Sequence, residues 1–364
     1  MPDPRPSPSP TPPPLFPPED SPFHYLHTES FAAVLHELGA SLLVTTYQAG
    51  KLMVVRPSPR GLSLLLRSFE QPMGLAMDGD RLIVGTRNQV WTLRNSPEIA
   101  PQLEPLGTHD ACYVPRESHV TGDIRGHEIA FLDGRTWIVN TRFSCLCTLE
   151  PDYSFTPRWR PPFVSSLAAE DRCHLNGLCV VDGRVEYVTA LGRSDAAEGW
   201  RERKADGGVV IHVPSNEIVA DGLSMPHSPR FHRGKLWLLN SGEGLLQTLD
   251  PATGKRADVQ RVPGYARGLA LSGKYAFIGL SQIREKKQFG GLPVEQHFGD
   301  KLQSGVWCID LDTGQIAGHM AFQAGVQEIF DVQLMPSLRH PGVIGLNKPT
   351  LNGVFVLPRE AFKS

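Results

Sequence analysis

The 364-residue chain has no apolar run near the roughly 18 residues that a membrane-spanning helix needs, which excludes a helical membrane anchor. It has no excess of either charge. Lys and Arg number 36 against 38 Asp and Glu, for a net charge of −2. Nucleic acid and anionic membranes are therefore not expected as partners. Cysteine is sparse: Cys112, Cys145, Cys147, Cys173, Cys179 and Cys308 contain no CxxC pair. Cys145-Leu-Cys147 is too tight for an ordinary structural zinc knuckle. Reduced thiols and a cytoplasmic location are the expectation. The opening Met1-Pro-Asp-Pro-Arg-Pro has neither the basic nor the apolar region of a Sec signal peptide. No GxSxG elbow, P-loop or GxGxxG follows a strand, so nucleotide-dependent chemistry has no support.

Glycine (35) and proline (32) are plentiful, which suits a fold with many turns and argues against a helical bundle. Eleven prolines fall within residues 1–22 among Ser, Thr and Asp. Proline removes backbone donors and favours extended chain, so 1–22 reads as a disordered leader and 23–364 as a single folded domain.

The sequence then repeats itself. A turn glycine followed by a β-rich heptad occurs at Gly39 (Ala-Ser-Leu-Leu-Val-Thr-Thr), Gly79, Gly134 (Arg-Thr-Trp-Ile-Val-Asn-Thr), Gly183, Gly234 (Lys-Leu-Trp-Leu-Leu-Asn-Ser) and Gly273. The fifth following residue is always aliphatic: Val44, Val84, Val139, Val188, Leu239 and Ile278. A worn seventh copy is Gly342-Val-Ile-Gly-Leu-Asn347. The copies recur at the spacing of propeller blades. Each reads as strand, glycine turn, strand and third strand, and some turn through Asp250-Pro-Ala-Thr-Gly254 or Asp310-Leu-Asp-Thr-Gly314 into a fourth. Units of this kind close radially, so the fold class is all-β and the architecture a β-propeller. Seven copies favour seven blades, the last built from 328–358 with Phe23–Thr28 as its outer strand. The alternative is six, which follows if Glu29–Leu38, with Phe31, Val34, Leu35 and Leu38 at helical spacing, forms a helix.

In a propeller the first strand of each blade lines the central channel. Seven residues before each turn glycine stand Pro72, His127, Asn176, His227 and Ala266, and one later Met73, Glu128, Gly177, Ser228 and Arg267. His174 lies just upstream of Asn176, and Glu328-Ile-Phe-Asp331 opens the last blade. Imidazoles and carboxylates gathered on a rigid ring suit a transition metal: iron, zinc or copper. The expected ligands are His127, His174, His227 and Glu328, with an open position for water or substrate. Glu128 or Asp331 is the expected general base. Arg267 and Arg230 would anchor an anionic group, beside Asn176. Cys145 is a candidate nucleophile, with a buried inert thiol as the plainer reading. Two insertions, Gly192–Gly208 and Ser281–Asp300, join second to third strands over the mouth and read as lids carrying Trp200, Arg201, Arg284 and Glu285.

Several strings are distinctive: Thr45-Thr-Tyr-Gln-Ala-Gly-Lys-Leu52, Asn140-Thr-Arg-Phe-Ser-Cys-Leu146, His174-Leu-Asn-Gly177, Thr189-Ala-Leu-Gly192, Met225-Pro-His-Ser-Pro-Arg230 and Glu328-Ile-Phe-Asp-Val332. Through them residues 23–358 resemble a bacterial family known only as conserved hypothetical proteins of unknown function. The resemblance implies a propeller, sometimes fused to repeat or oxygenase-like modules, and identifies no substrate. Two functions are expected from these residues. The first is a metal-assisted enzyme of hydrolase, lyase or oxygenase type, acting on a small anionic or peptide substrate. The second is a non-catalytic scaffold that binds a peptide or partner protein on its top face.

Overall fold

The computed structural model describes residues 23–283, 290–346 and 348–358. Within them six sheets form, each led by a strand that touches the leading strands of its two neighbours around a ring. Blade 1 runs Asp331–Met335, Ser41–Thr45, Lys51–Ser58, Gly61–Ser68 from the axis outward, and blade 2 runs Leu75–Asp78, Arg81–Gly85, Gln89–Asn95, Ala111–Val120. Blade 3 is Gly126–Leu132, Arg135–Asn140, Cys145–Glu150, Tyr153–Trp159, and blade 4 is Leu175–Val181, Arg184–Ala190, Gly208–His212, Glu217–Leu223. Blade 5 is Pro226–His232, Lys235–Asn240, Leu245–Leu249, Arg256–Arg261, and blade 6 is Tyr265–Ser272, Tyr275–Ser281, Gly305–Asp310, Ile316–Ala324.

The second strands are covered on both faces by adjoining blades, so their side chains on either side must be apolar or hydrogen-bonded. All six repeat aliphatics, from Val44 to Ile278, are fully buried. Hydroxyls at the ends of three of these strands fasten their blade to the next. Thr45 Oγ1 donates to Met73 O at 2.6 Å, Thr141 Oγ1 to Leu175 O at 2.5 Å, and Ser281 Oγ to Ile329 O at 3.1 Å.

The architecture is a six-bladed propeller, and the expectation of seven blades is corrected. The segment assigned to a seventh blade is divided among other elements. Asp331–Met335 pairs antiparallel with Ser41–Thr45 (Val332 opposite Val44) and so supplies the inner strand that blade 1 otherwise lacks. Pro341–Val343 adds a short parallel edge to Ala111–Val120, and Lys348–Asn352 is helical. His24–His27 joins Ile316–Ala324 as a fifth strand of blade 6. The ring thus closes on Ser41–Thr45 and Asp331–Met335, leaving no partners for another sheet among the described residues.

Glu29–Leu38 (α1) is the helix whose spacing had signalled the six-blade alternative. It buries Phe31, Ala32, Val34 and Leu35, and Phe31 meets Phe277 edge-on at 6.1 Å. Thr28 starts it: Oγ1 accepts from Phe31 N at 3.3 Å and from His319 N at 3.1 Å, tying the helix to blade 6. Thr28→Ala is expected to cost about 1–2 kcal/mol in urea unfolding. An unchanged midpoint would mean that α1 adds nothing to the cooperative unit.

The leader 1–22 lies outside the described residues. Among those described, no helix is long and apolar enough to cross a membrane.

Candidate functional site

The inner strands begin, and the second strands end, on one face of the ring. A cavity of about 290 Å³ opens there. Its wall takes His127 from blade 3, His174 from the approach to blade 4, Arg267 from blade 6, and Glu328 and Phe330 from the approach to blade 1. Tyr47, Gln71, Met73, Arg87, Asp123, Arg125 and Arg201 complete it.

The three histidines share one tautomer for local reasons. Arginine can only donate, and Arg267 Nη2 lies 2.8 Å from His127 Nε2, so that nitrogen accepts. His127 Nδ1–H therefore donates, to Thr141 Oγ1 at 2.7 Å and Arg125 O at 3.1 Å. His227 Nδ1–H donates to Met225 O at 2.9 Å with Ser241 Oγ at 3.0 Å. His174 Nδ1 faces both oxygens of Asp171, at 3.0 and 2.9 Å. Burial first, then the Arg267 cation, holds His127 and His227 well below the ordinary imidazole range, so both are neutral.

His127 and His174 meet edge-on with ring centroids 4.8 Å apart, whereas His227 stands 6.4 Å from His127 and outside the cavity wall. The expected ligand set is thus gathered as a pair plus an outlier, with a guanidinium already on His127 Nε2. Among the described residues no group of three or more His, Cys, Asp or Glu side chains is arranged to hold a metal ion.

Arg267 is the unusual member. Its guanidinium lies 3.6 Å over the Phe330 ring, and its Nε is sealed from solvent with no hydrogen-bond partner among the described residues. Other arginines on the wall have carboxylates in contact: Arg125 with Asp171 at 3.0 Å and Arg201 with Glu198 at 3.0 Å. No described carboxylate comes within 4 Å of Arg267, and burial lowers its pKa despite the more distant pull of Tyr265 and Glu328.

Below the mouth the channel holds a second polar layer. Glu128 is ion-paired with Arg230 and accepts Leu178 N–H at 2.9 Å, which links blade 3 to blade 4. Asp331 accepts Leu75 N–H and Val332 N–H, each at 2.8 Å, linking blade 1 to blade 2. Arg230 also donates to Leu269 O at 3.1 Å and to Pro229 O at 2.9 Å. Burial pushes Glu128 up to about 7 and Asp331 up to about 6. Both expected bases therefore sit in the inter-blade fastening and do not line the cavity.

Asn176 belongs to that fastening too, donating to Pro226 O at 2.9 Å and accepting from Thr189 Oγ1 at 2.6 Å. Cys145 is fully buried in the core of blade 3, its thiol pushed up to about 12 by burial, and is not brought to the mouth. Trp200 is also buried. Its ring centroid lies 4.5 Å from that of His174, and it carries the Arg201 guanidinium at 4.5 Å, so it supports the wall from behind. Arg284 and Glu285 lie outside the described residues.

Arg125, Asp171, Tyr47 and Phe330 were not anticipated. A signal for Arg125 existed: it stands two residues before His127, as His174 and Met225 stand two before Asn176 and His227. All three have left-handed backbone, with φ of +52°, +50° and +50°.

No curated protein matches the chain. Its fold is similar to that of a chain in a crystal structure of a nidogen/laminin complex, with a TM-score of 0.51 over 82% of this chain and 99% of that one. At 13% identity this likeness shows the fold alone. The family model described as a domain of unknown function (DUF4915) matches residues 29–344, so the chain belongs to that family, as its signature strings implied.

Proposed function

We propose that the propeller mouth is the site of a small-molecule enzyme whose substrate carries a carboxylate or phosphate, seated on Arg267. The observation that carries this reading is a guanidinium with a sealed Nε and no carboxylate in contact among the described residues, placed on the wall of the mouth cavity. A partly buried cation without a counter-ion costs stability, and a bound anion supplies that counter-ion through charge-assisted hydrogen bonds. The cavity size of about 290 Å³ lies at the small end of ligand pockets, which run from roughly 300 Å³ upward. That favours a small molecule over a peptide laid across the top face. The His174 imidazole on the same wall adds a group able to accept a proton during turnover.

Calorimetry and thermal melts against inorganic phosphate, sulfate and a series of small mono- and dicarboxylates test the reading. At least one ligand is expected to raise the melting temperature. Arg267→Met is expected to weaken its binding about 10- to 100-fold while leaving the ligand-free protein as stable as before, or more so. An unresponsive series, or equal binding by Arg267→Met, would overturn it. Metal that stays with the protein through purification and leaves on His127→Ala would instead favour iron, zinc or copper held by His127, His174, His227 and Glu328.

A further inference from the structure

Three non-glycine residues in the left-handed region, Arg125 (φ +52°), Asp171 (φ +49°) and His174 (φ +50°), form one hydrogen-bonded chain at the mouth. L residues adopt that backbone at a cost, and it persists where the surroundings hold it for a purpose. Arg125 Nη1 lies 3.0 Å from Asp171 Oδ2, and the Asp171 carboxylate embraces His174 Nδ1 at 3.0 and 2.9 Å. Asp171 is 2% exposed, and its own N–H is fixed by Arg142 O at 2.9 Å. Trp200 packs against the imidazole from its loop. The ring is thus locked in rotation and in the Nδ1–H tautomer. Nε2 has no hydrogen-bond partner among the described residues, and the ring lines the same cavity as Arg267. His127 cannot take the same part, because its Nε2 already accepts from Arg267.

We infer that Asp171 and His174 are the proton-accepting pair of this mouth, with His174 Nε2 the general base and Asp171 its positioning residue. The inference rests on the anion reading above for its substrate class: a small carboxylate or phosphate ester with an acidic hydroxyl or carbon near the anchored group. In the step, the ligand's O–H or C–H bond breaks and an Nε2–H bond forms. The electron pair stays on the ligand, and the Asp171 carboxylate stabilises the imidazolium through Nδ1–H.

Carbethoxylation of the full chain by diethyl pyrocarbonate, read histidine by histidine by mass spectrometry, tests the pair without a known substrate. His174 is expected to react at least tenfold faster than His127. Asp171→Asn is expected to slow it at least tenfold, leaving exposed His36 unchanged as a control for reagent and fold. Equal His174 rates in the two proteins would overturn the pair. Nitrogen-15 NMR of the unaltered protein gives an answer that does not depend on a variant folding. The Nδ1–H tautomer is expected for His174, and the Nε2–H tautomer would overturn the assignment. Millimolar inorganic phosphate is expected to slow His174 modification in the wild type and not in Arg267→Met. Reactivity that depends on Asp171 but ignores phosphate would sink the anion seat and leave the base standing.

Discussion

Arg230→Met is expected to destabilise the protein by about 3–5 kcal/mol at pH 8, because removing one partner strands the other charges in the channel. Two carboxylates, Glu128 and Asp331, depend on this single guanidinium, and both are almost wholly buried. Burial already raises them, to about 7 and about 6, against the lowering pull of Arg230. A carboxyl whose folded pKa exceeds its unfolded value binds its proton more tightly in the fold. Its contribution is therefore present at low pH and is lost as pH rises through the folded value. Without Arg230 the folded values climb further, so the penalty grows as pH rises through the wild-type values and is already large at pH 8. At pH 5 both groups are neutral, and the loss shrinks to about 1–2 kcal/mol for the missing hydrogen bonds. His127 and His227 run the other way, since their depressed values withdraw stability on acidification, but they do so equally in both proteins and cancel in the difference. Urea unfolding at the two pH values measures this. Adding Glu128→Gln to Arg230→Met is expected to restore part of the loss at pH 8, the sign of direct coupling. A loss independent of pH would mean that Arg230 acts through packing alone.

The fold was legible because a propeller repeats one physical problem. A second strand covered on both faces must be apolar at its centre, and a glycine must turn the chain before it. Those two demands recur together at Gly39, Gly79, Gly134, Gly183, Gly234 and Gly273, and the aliphatics counted from them are all fully buried. The same count placed His127, Asn176, His227 and Ala266, each the second residue of its inner strand. Blade number failed at Gly342 because the periodicity counts second strands without naming their inner partners. Ring closure decides that pairing. Asp331–Met335 satisfies the N-terminal sheet, leaving the Gly342 copy as a three-residue edge.

The site was legible as a neighbourhood and not as a mechanism. The heptads that followed Gly134 and Gly234 ended in Thr141 and Ser241. These are the hydroxyls that meet Nδ1 of the histidines seven residues before the same glycines. Sequence spacing gave both ends of that contact, but the hydrogen bond between them is set by strand pairing. Asp171 was invisible because its role depends on a left-handed turn that no local rule demands of Asp-Arg-Cys-His. Cys145 misled because its strand is buried on both faces, so alternation does not say which way the thiol points. Glu128 and Asp331 were expected at the mouth and lie below it, where a backbone N–H from the next blade and the Arg230 cation hold them in the inter-blade fastening.

Gly268→Ala is the substitution expected to damage the ring most. Gly268 immediately follows Arg267 on the inner strand of blade 6, where blade 6 meets blade 1. Its φ is +79°, a conformation that a side chain resists. A Cβ there meets Val332 N at 2.6 Å and the Asp331 carbonyl carbon and Cα at 2.8 Å, all backbone of the neighbouring inner strand. None is the flexible end of a side chain, so relief requires moving one blade from the other. That shift also strains Gly268 N–H on Ser228 Oγ (3.2 Å) and the two N–H bonds that Asp331 accepts. Backbone strain and overpacking together are expected to cost about 3–5 kcal/mol, a large share of a typical domain's stability of about 5–15 kcal/mol. The readout is the urea midpoint, with near-UV circular dichroism reporting whether tertiary packing survives. Because Arg267 is the adjacent residue, the variant is also expected to lose the anion-induced rise in melting temperature even where it folds. A fully stable Gly268→Ala protein would mean that blades 6 and 1 stand farther apart than the ring described here allows.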